Sequence, residues 1–199
     1  MFGDWPLHIL KDAAVHYQEQ WIADGDATAL FAELRASLHW QQQPIRMFGR
    51  MVMQPRLTAW YGDPGAAYTY SGLKHEPLQW TDELNALRQK LETETGSRFN
   101  SVLCNCYRSG TDSMGWHSDN EPELGSDPVI ASVSLGQPRR FLLRHKNNHL
   151  QKHTLLLGHG SLLLMHGETQ QNWQHSLPRT AAHCNERINL TFRHIQTIS

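Results

Sequence analysis

In the stretch MGWHSDNEPE, residues 114–123, a histidine and an aspartate stand one residue apart at His117 and Asp119, with Asn120, Glu121 and Glu123 close behind. Burying unpaired charge is expensive, so such a cluster is either solvated or bound to something. If 117–119 is extended, residues i and i+2 project to the same side, aiming an imidazole and a carboxylate at one point. Two histidines and one carboxylate on a single face of a metal leave its other positions open, which is the ligand set of non-haem Fe(II) oxygenases. An isolated H-x-D pair arises by chance in many proteins, and the third ligand must come from elsewhere in the chain.

The last extended stretch, RINLTFR, raises the weight of that pair. Alternation puts Arg187, Asn189, Thr191 and Arg193 on one face and Ile188, Leu190 and Phe192 on the other. The apolar face suits a core. The opposite face carries two arginines about 20 Å apart at ~3.3 Å per residue, and if that face is interior it needs anions. A small dicarboxylate offers two. In NCY the same alternation pairs Asn105 with Tyr107, an amide and a phenol able to hold a carboxylate by hydrogen bonds. Cys104 and Cys106 then face the other way as small buried hydrophobes.

Two helices and a series of short strands are expected to position these groups. DATALFAELRASLHW places Leu30, Phe31, Leu34 and Leu38 on one face, with Asp26 or Thr28 as cap. TDELNALRQKLETETG places Leu84, Leu87 and Leu91 on one face, opens on Thr81, Asp82 and Glu83, and stops at Gly96. From residue 99 the pattern changes to FNSVLCNCYR, VIASVSLG, RRFLLRHK, HTLLLG, SLLLMHG, NWQHSLP and RINLTFRHI, separated by turn residues. Many short strands after a helical start predict a mainly β sandwich or barrel with helices packed outside. The stretch between the helices, RMVMQPRLTAWYGDPGAAYTYSG, reads as loop-rich and aromatic.

The chain has 199 residues, a net charge of −1 and a sequence pI near 6.9, which is not the footprint of a protein that grips nucleic acid by bulk charge. No apolar run reaches membrane-spanning length, and a monomer in the cytoplasm, associated with the nucleoid in a bacterium, is the expectation. Cys104, Cys106 and Cys184 make neither a disulfide framework nor a structural zinc spacing. Thirteen histidines are too many for all to be ligands.

Taken together, NCYRSGTDSMGWHSD, NWQHSLP and RINLTFR resemble the AlkB family of Fe(II)- and 2-oxoglutarate-dependent dioxygenases. The family pattern of N-x-Y, H-x-D, a distant H and R-x-N-x-T-x-R appears in order, and the likeness runs from about residue 45 to 195 through PRLTAWYGD, YTYSG and HGSLLLM. The resemblance implies a double-stranded β-helix, or jelly roll, with outer helices. It implies one dioxygenase domain over 1–199, with a nucleotide-recognition region at about 45–75 and the catalytic core at about 99–195. It supplies His175 as third ligand, over the competitors His166, read as a strand end or loop, and His183, read as surface. It assigns Arg187, with Tyr107 and Asn189, to the distal carboxylate of 2-oxoglutarate. Arg193 and Asn105 go to the metal-chelating end, and Thr191 lines the same pocket.

The same resemblance implies cofactors and substrate. Fe(II), 2-oxoglutarate and O2 would carry an oxidative decarboxylation to succinate and CO2, with ascorbate as reductant in vitro. The oxidation removes a methyl group from a base nitrogen of alkylated DNA, and by extension RNA, as formaldehyde; 1-methyladenine and 3-methylcytosine are the typical lesions. Reaching them in a duplex requires base flipping. Tyr70 would stack on the flipped base opposite His117. Tyr68 and Thr69 lie beside it in YTYS, and Phe48, Gly49 and Arg50 of MFGR offer a wedge, a turn and a phosphate contact. Close repair relatives often read H-x-D-D-E. Here Asn120 precedes Glu121, so one negative charge that could select a cationic base is missing. Two rivals are a dioxygenase of the same chemistry acting on a protein or small molecule, and a non-catalytic binding module.

Overall fold

The computed structural model describes residues 5–196 except 48, 67, 71 and 72; the side chains of 9, 45–47, 68–70 and 73–75 are likewise outside the described part. The N-terminal half runs β1 (Leu7–Leu10), β2 (Ala13–Gln18), α1 (Asp24–Ser37), β3 (Pro44–Met47), β4 (Arg50–Met53), β5 (Leu57–Gly62), β6 (Tyr68–Tyr70), β7 (Leu73–His75) and α2 (Asp82–Thr95). The C-terminal half adds β8 (Ser101–Tyr107), β9 (Met114–His117), β10 (Ile130–Gly136), β11 (Arg139–His145), β12 (Lys152–Leu157) and β13 (Ser161–His166). Short α3 (Thr169–Asn172), β14 (Trp173–Leu177) and β15 (Arg187–Arg193) complete it.

Seven strands form one antiparallel sheet in the order β1-β2-β13-β10-β15-β8-β5, and four form a second in the order β12-β11-β14-β9. The crossovers and the stacking of the two sheets give the jelly-roll core. Among the described residues the hairpins β3–β4 and β6–β7 pair only within themselves.

The larger sheet is apolar on one face because its strands alternate in phase. Val102, Cys104 and Cys106 of β8, Val133 and Leu135 of β10, and Ile188, Leu190 and Phe192 of β15 pack under Leu34 of α1 and Leu84, Leu87 and Leu91 of α2. On the other face, Val15, Ile130, Leu163 and Met165 meet Phe141, Leu143, Leu155 and Leu157 of the smaller sheet. The remainder of that inner face is polar, and the site lies there.

Helix α2 follows its sequence signals: Thr81 caps it by accepting from Leu84 N–H at 3.3 Å, and Gly96 ends it in the left-handed region at φ +68°. Helix α1 departs from expectation. It starts two residues earlier, behind Ala23, with no side-chain cap. Asp26 lies in its first turn with Asp24, where a carboxylate favours the helix dipole without capping. The Thr28 hydroxyl lies 3.1 Å from His159 Nε2 instead. The region between the helices is also more ordered than its loop-rich reading, since LTAWYG forms β5 at the sheet edge with Tyr61 buried. Strands β1 and β2 precede α1, and their few residues carry too little alternation to announce themselves.

Leu190 is fully enclosed at the centre of the helix-side core. Leu190→Ala is expected to lower the unfolding free energy by about 2–5 kcal/mol, read as a shift of the urea midpoint at unchanged slope.

Candidate metal centre and co-substrate pocket

Strand β9 ends at His117, and its partner β14 places His175 directly across from it. The chain then leaves the sheet, which swings Asp119 under both rings. One ligand atom from each of His117, Asp119 and His175 lies within 4.8 Å of the others, and His175 and Asp119 are buried. The two imidazoles meet edge to face with centroids 4.2 Å apart, and Phe141 stacks on His175 at 5.2 Å. His117 Nδ1 sits 2.9 Å from the Gly115 carbonyl, so Nδ1–H donates in the neutral tautomer and Nε2 is left free to ligate. Nε2 faces Asp119 Oδ1 at 3.7 Å.

Protonation suits ligation. Burial works against ionised Asp119, but Arg193, His175 and His117 outweigh it and hold its pKa down at about 2. Burial first, then His117, lowers His175 to about 3. The centre thus holds a carboxylate and unprotonated imidazole, the forms a metal requires.

Two positioning contacts had no signal in the sequence. Gln170, buried on α3, accepts the Asp119 N–H through Oε1 at 2.9 Å. Ser118 donates to the Trp173 carbonyl at 2.8 Å. These hold both ends of the Ser118–Asp119 turn against α3 and β14.

Strand β15 supplies the rest of the pocket, and all seven of its residues are buried. Arg193 donates to Asp119 Oδ2 through Nη2 at 2.9 Å and Nε at 3.3 Å. Arg187, at the other end, donates to Ser134 Oγ at 2.9 Å and lies 5.3 Å over the Tyr107 ring. Its Nε is buried with no hydrogen-bond partner, and desolvation lowers its pKa to about 10. Asn189 donates to Ser132 Oγ at 2.7 Å, and Thr191 donates to Asn189 Oδ1 at 3.2 Å. Asn105 Oδ1 is taken by the Nε–H of buried Arg56 at 2.7 Å, which leaves the Asn105 amide NH2 as its free donor. Ser132 and Ser134 were not singled out from the sequence, although the alternation of VIASVSLG marks them; Arg56 carries no such signal, because a buried arginine looks like any other in sequence. One pocket gathers Asn105, Tyr107, His117, Asp119, His175, Arg187, Asn189, Thr191 and Arg193.

The remaining predicted residues fall elsewhere. Gly49 turns the β3–β4 hairpin at φ +78°, and Arg50 is exposed beside it. Asn120 is exposed and Glu121 half-buried just past the centre. Phe48 lies outside the described residues, as do the side chains of Tyr68, Thr69 and Tyr70. His166 ends β13 against His16, with ring nitrogens 3.1 Å apart, and His183 is exposed; neither joins the cluster of His117, Asp119 and His175.

Residues 14–193 match the family described as the 2OG-Fe(II) oxygenase superfamily. The alpha-ketoglutarate-dependent dioxygenase alkB homolog 3 of Bos taurus is 42% identical over 177 residues, covering 84% of this chain and 61% of that protein. The DNA oxidative demethylase ALKBH2 of Homo sapiens is 39% identical over 180 residues, covering 85% of this chain and 69% of that protein. This chain belongs to the AlkB family. It spans about three fifths of the length of the first relative, at 61%. The solved structure titled "The structure of OsALKBH1" superposes with a TM-score of 0.63 over 95% of this chain at 18% identity, a likeness of fold.

AlkB-family membership implies Fe(II), 2-oxoglutarate and O2, and the donor set fits them. Two imidazoles and a carboxylate suit Fe(II), and a buried guanidinium with an unfilled N–H suits a carboxylate. His175→Ala is expected to abolish Co(II) binding followed by its visible absorption. Gln170→Leu is expected to weaken that binding by about 10–100-fold while the thermal midpoint of the metal-free protein moves by only a few degrees. Arg187→Met is expected to raise the Kd for 2-oxoglutarate more than tenfold without changing Co(II) affinity.

Proposed function

We propose that this protein oxidatively demethylates N-alkylated bases, 1-methyladenine and 3-methylcytosine, in DNA and also in RNA. Formaldehyde is released, and 2-oxoglutarate is converted to succinate and CO2. The observation that carries the reading is the His117–Asp119–His175 cluster, its aspartate and second histidine buried, bonded through Arg193 to the one strand whose far end presents an unfilled guanidinium. The names of the relatives, an alpha-ketoglutarate-dependent dioxygenase and a DNA oxidative demethylase, support the substrate class.

In this reading His117, Asp119 and His175 hold Fe(II), which supplies oxidation of the substrate by O2 coupled to decarboxylation of 2-oxoglutarate. Arg187, with Ser134 and Tyr107, binds the distal carboxylate, and Asn189 is held in place by Ser132. Asn105 and Arg193 face the chelating end, and Thr191 braces Asn189. The inner strand faces keep the reacting atoms away from water. Hydroxylation at the N-methyl carbon leaves an unstable hemiaminal. Its C–N bond breaks to give formaldehyde, and the base nitrogen regains its proton or lone pair.

The region 45–75 is assigned to nucleotide recognition. Its β3–β4 hairpin exposes Met51 at 65%, Val52 at 39% and Met53 at 53%, an apolar strip beside Arg50 that fits contact with unstacked bases. Phe48, Tyr68, Thr69 and Tyr70 take the wedge and stacking roles given by the resemblance, with His117 on the far side of the base. Glu121 is left to favour a cationic base where Asn120 does not. No helix among the described residues is long and apolar enough to cross a membrane. A monomer acting in the cytoplasm or nucleoid agrees with this reading.

The test uses Fe(II), ascorbate, 2-oxoglutarate and an oligonucleotide with one 1-methyladenine or 3-methylcytosine, followed by mass spectrometry. Loss of one methylene unit is expected, abolished by EDTA and by His175→Ala. Turnover of 2-oxoglutarate with no loss of methyl would instead favour a protein or small-molecule substrate. Asn120→Asp is expected to raise kcat/KM on the cationic lesions by up to about fivefold, the effect of one exposed ion pair at 0.2–1 kcal/mol.

A further inference from the structure

The outer face of the four-stranded sheet carries a pattern that the pocket does not use. Strand alternation sends Phe141, Leu143, Leu155 and Leu157 inward, so Arg140, Leu142 and Arg144 of β11 and Lys152, Thr154 and Leu156 of β12 face out. Arg144 stands directly across from Lys152, and Arg140 across from Leu156. Like charges directly opposed on neighbouring strands destabilise a sheet. Strands β9, β11, β12 and β14 contain no aspartate or glutamate to offset them. Arg140, Arg144 and Lys152 make no ion pair with any described residue. Among the described residues the hydrogen-bond partner of the Arg144 guanidinium is neutral: it donates to Gln174 Oε1 at 2.9 and 3.1 Å. The same guanidinium lies 4.2 Å over the ring of Trp116, which stays 37% exposed.

This face is joined to the site through its own strands. Trp116 immediately precedes His117, and Gln174 immediately precedes His175, so the two neighbours of the histidine ligands mark the inner edge of the basic face. Along β11, Arg140 and Arg144 are about 13 Å apart at ~3.3 Å per residue, and Lys152 widens the row by one strand. A row of cations beside an aromatic ring, lacking carboxylates and running to the mouth of a base-binding pocket, matches a polyanion with flat rings.

We propose that Arg140, Arg144, Lys152 and Trp116 form a track for the nucleic-acid strand flanking the target base: the cations contact phosphates, and Trp116 with Arg144 on its ring offers a stacking platform. The proposal rests on the nucleobase reading above. It accounts for how a chain with a net charge of −1 holds a polyanion, by local and not bulk charge.

The experiment measures binding of a fluorescein-labelled single-stranded oligonucleotide by anisotropy across a salt series. It compares wild type, Arg140→Glu/Lys152→Glu, Arg140→Ala/Lys152→Ala and Trp116→Ala. The control is Lys90→Glu/Arg98→Glu, the same charge change made at exposed positions on and just beyond α2. The glutamate pair on the sheet is expected to weaken binding at least tenfold, and the control less than twofold. The alanine pair should flatten the dependence of log Kd on log salt by about 1.4, at ~0.7 per lost phosphate contact on a single strand. Trp116→Ala should weaken binding with an unchanged salt slope. Equal loss in the sheet and control variants, or none in either, overturns the track. Tighter binding of poly-glutamate than of the oligonucleotide at equal salt would also overturn it and reassign the face to an acidic protein. Demethylation by the wild type is scored in parallel, so a failed track with methyl loss intact leaves the proposed function standing, and no methyl loss strikes the function itself.

Discussion

Everything in the interior answers to two guanidiniums buried on one strand. Arg187 and Arg193 are nearly inaccessible between the sheets, where an unmatched charge costs several kcal/mol. They are matched unequally. Arg193 is closed by Asp119, and the pairing keeps that carboxylate ionised against the burial that favours its neutral form. Arg187 has a hydroxyl, a phenol ring and an unfilled N–H. One end of the strand is thus electrically complete before anything binds, and the other is complete only with an anion. The polarity of the site, metal at one end and distal carboxylate at the other, follows from this asymmetry.

The sheet makes the arrangement possible because β15 is neither edge nor surface. It lies between β10 and β8, with its apolar side chains under α1 and α2. Ser132 and Ser134 of β10 stand opposite Thr191 and Asn189, and Asn105 and Tyr107 of β8 stand opposite Asn189 and Arg187. A ladder of cross-strand polar pairs therefore fixes each side chain from both flanks, so the pocket is largely formed by backbone register. The metal end depends on a different device. The β9–β14 pairing is irregular between His175 and Leu177, and just past His117 the chain leaves the ladder and brings Asp119 inward under Gln170.

What could be read from the sequence was what alternates or caps. The two faces of RINLTFR, the inward pair of NCY, the Thr81 cap and the Gly96 stop all act within a few residues, and local pattern carries them. The contacts that were not legible are long-range. Gln170 reaches Asp119 across 51 positions, and Arg56 reaches Asn105 across 49. No spacing rule links such residues before the fold exists. The third ligand is of the same kind: His175 is 58 positions from His117 by number, and among thirteen histidines only its resemblance to a known motif singled it out. The opening strands went unread because LHIL and AAVHYQ are too short and too mixed to alternate clearly.

Among the described residues the two hairpins β3–β4 and β6–β7 are bonded only to themselves, whereas every strand of the polar ladder is shared with two neighbours. Substitutions in the hairpins therefore leave the ladder's register untouched, while substitutions in the ladder disturb strands on both sides. On the proposed recognition role of region 45–75, such a molecule can inherit its chemistry as a fixed unit and change its clientele by rewriting two short segments.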